Sequence, residues 1–153
     1  MRLTAYTDYG LRVLLRLAEQ PESLITSEQI ADEHQISRNH LLKVVKGLAE
    51  GGFVSTQRGG RGGMQLSRAA HDIQLGDVVR HLEARHALVE CFRDDGGDCY
   101  LNPGCRLKVR LRHAEEAFLA SLNKSTLADC VAANRLANHG PAAAGRGPST
   151  KKR

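Results

Sequence analysis

The stretch from Ser27 to Leu66 constrains the fold more than any other part of the chain. Two adjacent runs carry apolar residues at helical spacing: Ser27–Glu33 with Ile30 and Ala31, and Arg38–Glu50 with Leu41, Val44, Val45 and Leu48. Such spacing turns one face of each run toward a core. Only Gln35-Ile36-Ser37 separates them, which leaves room for a tight turn. Ser37 suits the start of the second helix because its hydroxyl accepts a free amide hydrogen there. Gly51-Gly52 stops that helix, since glycine tolerates the left-handed geometry of a helix end. Two short strand-like runs follow, Phe53–Gln57 and Met64–Leu66, around Arg58-Gly59-Gly60-Arg61-Gly62-Gly63. Alternating runs about a glycine-rich turn read as a β-hairpin. Two helices joined by a tight turn and followed by a hairpin predict a winged helix-turn-helix.

The flanking segments are helical in pattern. Leu11, Leu14, Leu15 and Ala18 share one helix face, with Thr7 or Asp8 as the expected cap and Pro21 beyond the end. Gly76-Asp77 opens a helix carrying Val78, Val79 and Leu82. A loop, Glu90–Gly104, leads into a long helix over Arg106–Leu122, whose Leu107, Leu111, Ala114 and Phe118 form a coiled-coil-like seam. Ser125 or Thr126 starts a last short helix through Cys130 and Val131. With no tryptophan, aliphatic side chains must supply the core, which suits helices. The expected architecture is mainly α with a small β-hairpin wing. A winged helix-turn-helix domain occupies 1–82, a cysteine-bearing loop 83–105, and the long and last helices 106–135. Residues 139–153, rich in glycine, proline and alanine, read as a disordered basic tail.

The formal net charge of +5 is unevenly placed. The tail holds Arg146, Lys151, Lys152 and Arg153 and no acid. Between Ser37 and Arg68, Arg38, Lys43, Lys46, Arg58, Arg61 and Arg68 face Glu50 alone. A concentrated basic stripe is the electrostatic footprint of a DNA-binding surface, although a solvated helix face has the same composition. In a helix-turn-helix the second helix enters the major groove by its N-terminal end. Here that end offers Arg38, Asn39 and His40. Arginine pairs with guanine and asparagine with adenine through two hydrogen bonds each. Lys43 and Lys46 stand further along, suited to phosphates, which position rather than specify. Arg58 and Arg61, set among glycines, can approach a backbone or a narrow minor groove.

The four cysteines give a second constellation. Cys91, Cys99 and Cys105 are spaced C-x7-C-x5-C, and Cys130 follows in an apolar helical setting that makes it a packing residue. Structural zinc prefers tight C-x2-C pairs, and none is present. Wide spacing suits a loop wrapped around a larger object, as thiolates wrap iron–sulfur clusters. The loop is hydrophilic, with Asp94, Asp95, Gly96, Gly97 and Asp98. Cys105 stands at the entry of the long helix, at the positive end of its dipole. A loosely held zinc ion and a redox thiol switch are the alternatives for the same residues. His81 and His86 lie near the loop in sequence and read as core or solvated side chains. Three thiols leave a cluster one protein ligand short, and spacing does not choose the fourth.

No run approaches the roughly 20 apolar residues that a membrane span needs, and MRLTAYTDYG has no apolar signal core. The expected location is the cytoplasm, with no membrane partner. No phosphate-binding loop, dinucleotide fingerprint, HExxH or nucleophile elbow occurs, so an enzyme is not expected.

Taken together, MRLTAYTDYGLRVLLRLA, SRNHLLKVVKGLAEGGFVSTQRGGRGGMQL, IQLGDVVRHLE and PGCRL resemble the Rrf2 family of bacterial transcription regulators. The resemblance covers about residues 1–135. The TDYGLR start, the SRNHL helix, the C-F-x6-C loop and the TLAD segment at Thr126–Asp129 look most like its nitric-oxide-sensing branch. It implies a homodimer held by Arg106–Leu122 that binds a double-stranded operator as a repressor. It implies an iron–sulfur cluster, 4Fe–4S in preference to 2Fe–2S, on Cys91, Cys99 and Cys105. In some members the fourth ligand is an N-terminal aspartate of the other subunit, and Asp8 occupies that position. Spacing alone makes Asp8 a helix cap, so both roles stand, and Arg12 one turn on can pair with it. The resemblance also implies nitric oxide as the signal that releases DNA. A sibling sensing iron status or redox state is the nearest alternative.

Overall fold

Thr4 starts the first helix. Its backbone is extended (φ −69°, ψ 158°) and its side chain accepts the Thr7 amide at 3.2 Å. Helix α1 therefore runs Ala5–Glu19, and neither Thr7 nor Asp8 is its cap. The physical reason lies far along the chain. Glu83 accepts from both the Thr4 amide (2.8 Å) and the Thr4 hydroxyl (3.0 Å), which pins the chain entry there. Thr7 is fully buried, while Asp8 is half-buried on the first turn. The structure, a computed structural model, describes residues 2–59, 62–102 and 104–131. The basic tail, Arg61 and the end of the last helix lie outside the described residues.

Helix α2 (Ser27–His34) opens on a reciprocal capping box between Thr26 and Gln29, which satisfies otherwise free backbone donors. Gln35 takes a left-handed conformation (φ 55°) and turns the chain. Helix α3 (Arg38–Glu50) then starts from Ser37, as its sequence predicts. Gly52 (φ 69°) supplies the left-handed residue after its end. Strands β1 (Val54–Gln57) and β2 (Gly63–Leu66) pair antiparallel in the register Val54↔Leu66 to Gln57↔Gly63. Ile25 joins this hairpin through a two-way backbone pair with Met64, at 3.0 and 2.8 Å. The wing is thereby anchored to the segment that leads into α2.

Helix α4 (Leu75–Glu83) and helix α5 (Arg106–Leu122) complete the fold. After α5 the chain returns to the start of α4: Leu127 N donates to Ile73 O at 2.8 Å and Leu75 N to Ser125 O at 3.2 Å. Thr126 and Asp129 bond reciprocally, and residues 127–131 are helical. The core joins Val13, Leu14 and Leu17 of α1 to Ile30, Leu41, Val44, Leu48, Ile73, Val78 and Leu127. Leu11 and Leu15 sit at its margin, so the buried face of α1 is rotated toward Val13 and Leu17.

Helix α5 stands apart from this core. Leu119 is its one buried residue, and it is tied to α4 chiefly by polar contacts. Arg80 and Glu116 pair at 2.9 and 2.7 Å, and Asp77 and Asn123 exchange bonds at 3.0 and 2.9 Å. The described residues leave the seam largely uncovered: Leu107 is 62 % exposed, Ala114 is exposed, and Leu111 and Phe118 are half-buried. No helix of the described residues is long and apolar enough to cross a membrane.

Candidate nucleic-acid interface and cysteine loop

The turn between α2 and α3 buries Ile36 and holds the start of α3 outward. Arg38, Asn39, His40, Lys43 and Lys46 are all exposed, as is Arg58 at the start of the wing turn. Arg38 pairs with Glu28 of α2 at 2.8 Å, and Lys46 approaches Glu50 at 3.8 Å. Both pairs are solvent-exposed, and such contacts contribute little, on the order of 0–1 kcal/mol. Phosphates can therefore displace them. One residue of this face escaped the sequence reading. Leu42, 46 % exposed, lies one turn after Arg38 and offers an apolar contact of the kind a thymine methyl takes. The available signal was a leucine outside the apolar repeat Leu41, Val44, Val45 and Leu48, on the helix face of Arg38, Asn39 and Lys46.

Tyr6 and His81 support α3 from behind. The Tyr6 hydroxyl donates to the Lys43 carbonyl at 3.3 Å, and His81 Nε2 lies 2.8 Å from the Gly47 carbonyl. The His81 ring also meets Phe53 edge-on, with centroids 5.7 Å apart, and the Arg68 guanidinium lies over the same Phe53. His81 is thus neither a plain core histidine nor a solvated one. His86, by contrast, is exposed.

Charge anchors tie the helices together. Arg16 and Glu33 link α1 to α2 at 2.6 Å, and the hydrogen bond from Arg16 holds the Glu33 carboxyl below its usual range. Burial pushes the Glu83 carboxyl up, but hydrogen bonds from Thr7 and Thr4 outweigh it and the net shift is downward.

Cys91 sits in a short 3-10 turn, Glu90–Phe92, Cys99 in the following loop, and Cys105 at the N-cap of α5. All three are free and half-buried, as is Cys130 beside the buried Leu127 and Val131. The loop is closed on itself by local bonds: Asp98 N to Glu90 at 3.1 Å, Gly97 N to Asp95 at 3.0 Å and Asn102 N to Cys99 O at 3.0 Å. Among the described residues, no three His, Cys, Asp or Glu side chains are gathered as a metal site. The donors fit iron in kind, as soft sulfur ligands on one loop, but the described conformation does not gather three of them. Asp8 lies on α1, paired with Arg12 at 2.7 Å, and its side chain is 49 % exposed.

The sequence model of the Rrf2 family, described as iron-dependent transcriptional regulators, matches residues 3–133. Among solved structures, CymR of B. subtilis, titled its global cysteine regulator, is 28 % identical. It covers 87 % of this chain and 98 % of its own, with a TM-score of 0.64. The oxidized form of CymR from Staphylococcus aureus is 27 % identical, covering 86 % and 96 %, with a TM-score of 0.63. IscR of T. potens, 23 % identical, covers 93 % and 94 % with a TM-score of 0.72, and shows the shared fold.

Proposed function

Because this chain belongs to the Rrf2 family of transcriptional regulators, we propose that it is a dimeric operator-binding repressor governed by an iron–sulfur cluster. Members of this family are transcription regulators, not enzymes. The observation that carries the DNA-binding reading is the end of α3, where Arg38, Asn39 and His40 are exposed beside Lys43 and Lys46. Arg38 and Asn39 read base edges, Lys43 and Lys46 hold phosphates, and Arg58 with Arg61 of the wing follow the backbone. In this division of labour, residues 1–82 read DNA, 83–105 sense, and 106–135 dimerise.

Cys91, Cys99 and Cys105 would hold the cluster, 4Fe–4S in preference to 2Fe–2S, and Asp8 of the other subunit would complete the ligand set. A bound cluster would supply iron that reacts with nitric oxide. Asp8 has a competing partner in Arg12, so its carboxylate can exchange a bond across the dimer for one within its own helix. Such an exchange alters how two reading heads are held. Both must meet half-sites about one helical turn apart, so a small change weakens binding strongly. The cytoplasm is the matching location.

Anaerobic native mass spectrometry with an absorption spectrum, before and after nitric oxide, tests this reading. A dimer carrying one 4Fe–4S per subunit that nitric oxide bleaches is the expected result. Cys99→Ala should fold and dimerise yet lose the cluster-dependent part of its operator affinity. Tight binding retained in that variant would remove the cluster from the mechanism.

A second reading, in which the same cysteines sense iron status or redox state, is favoured by one observation. CymR of Staphylococcus aureus, 27 % identical, is known in an oxidized form, as a redox response requires. A 2Fe–2S mass that responds to oxidants and not to nitric oxide would decide for it.

A further inference from the structure

The last turn of α4 touches each neighbouring helix through a different residue. Arg80 forks onto Glu116 of α5, at 2.9 and 2.7 Å. His81 meets the Gly47 carbonyl of α3 at 2.8 Å. Leu82 fills the notch at Gly10 of α1, where a β-carbon would collide with it. Glu83 holds Thr4 at the start of α1. The next residue, Ala84, begins the segment that carries Cys91, Cys99 and Cys105.

The bond from His81 is unusual in its target. The Gly47 carbonyl already accepts the Gly51 amide at 3.0 Å, so His81 adds a second donor to a filled helix bond. A carbonyl only accepts, so Nε2 carries the hydrogen. Lys43 and Gly47 lie one turn apart, and Tyr6 donates to the Lys43 carbonyl from the same side. Two polar side chains from α1 and α4 thus grip the main chain of α3, leaving its outward side chains exposed.

The sequence of α3 makes room for this grip. Glycine is a poor helix former, yet Gly47 sits inside α3, where a β-carbon would run into the Tyr6 hydroxyl. At Gly51 a β-carbon would lie 2.7 Å from the His81 ring. His81 also packs on Phe53, the residue from which the wing departs.

We propose that His81 is the positioning residue that sets the recognition helix and the root of the wing against the cysteine-bearing half. A hydrogen bond of this kind fails beyond roughly 3.5 Å. A small displacement of the last turn of α4 therefore either carries α3 with it or releases its end. Either outcome changes the presentation of Arg38, Asn39 and Lys43 without any of them touching the loop.

The test compares His81→Leu, which fills the space without a donor, with His81→Gln, whose side-chain amide can reach the carbonyl. Amide exchange over residues 47–53 is read by mass spectrometry on the DNA-free protein. Operator affinity is read by anisotropy, and the melting temperature by scanning fluorimetry. The expectation for His81→Leu is exchange about tenfold faster in that segment and operator binding about tenfold weaker, with melting little changed. His81→Gln restores both. Unchanged exchange in His81→Leu, or no rescue by His81→Gln, overturns the proposal. If His81→Leu fails to fold, His81→Asn, too short to reach, replaces it with the same expectations. The affinity arm rests on the DNA-binding reading above, whereas the exchange arm does not. A protein that binds no operator would sink that reading and leave His81 to be decided by exchange alone.

Discussion

Glu83 shows how one side chain joins distant parts of the chain and leaves a signature in pH. Its carboxylate takes the amide and hydroxyl of Thr4, and these bonds, with that from Thr7, lower its affinity for protons despite partial burial. The folded state therefore binds this proton less readily than the unfolded chain. The contribution of Glu83 is present above the ordinary glutamate range, near 4.5, and is lost as pH falls through the lower folded value. Glu33, Glu116 and Asp129 shift in the same direction, so the wild-type acid limb is a composite. The difference between wild type and Glu83→Gln isolates one share. Denaturant unfolding at several pH values should show a flatter acid limb for Glu83→Gln, and at neutral pH Glu83→Ala should cost about 1–2 kcal/mol. Parallel curves for wild type and Glu83→Gln would mean that folding does not shift the Glu83 carboxyl.

On the proposed reading helix α3 divides its work along its length, and its residues should fail in different ways. Lys43→Ala would remove the proposed phosphate contact while leaving the carbonyl that Tyr6 grips. Operator and non-operator binding should weaken alike, with the salt dependence shallower by about one unit. Asn39→Ala should instead relax discrimination at one base pair, by about 1–3 kcal/mol, at nearly unchanged salt dependence. Competition titrations at several salt concentrations separate the two, and a specificity change in Lys43→Ala would reassign it to base reading. At this scale the sequence was most legible. Ser37, the apolar repeat Leu41–Val44–Val45–Leu48 and Gly51-Gly52 delimit α3 by local chemistry alone. The start of α1 was not legible, because Thr4 is chosen over Thr7 and Asp8 by a bond from Glu83, 79 positions away. The support of α3 was hidden for the same reason, since His81 and Gly47 are 34 positions apart. The cysteine spacing marks out the loop, but closing it on an ion depends on contacts that spacing does not encode.

The largest unresolved demand of the fold is made by α5. A helix of 17 residues that buries only Leu119 among the described residues is a weak addition to a monomer. Its outward face repeats Leu107, Leu111, Ala114 and Phe118 at coiled-coil spacing, with Leu107 62 % exposed. A second copy packed on this seam would cover it. It would also convert two weak half-site contacts into one strong one, because the second head then binds at a high effective concentration. Leu111→Glu places a charge in the seam without entering the core around Leu14 and Leu41. It should therefore leave helix content intact and shift the protein toward monomer in sedimentation equilibrium. Operator affinity should fall by about 100-fold or more, while the affinity of a single half-site stays near its wild-type value. A Leu111→Glu protein that remains a dimer would place the interface elsewhere.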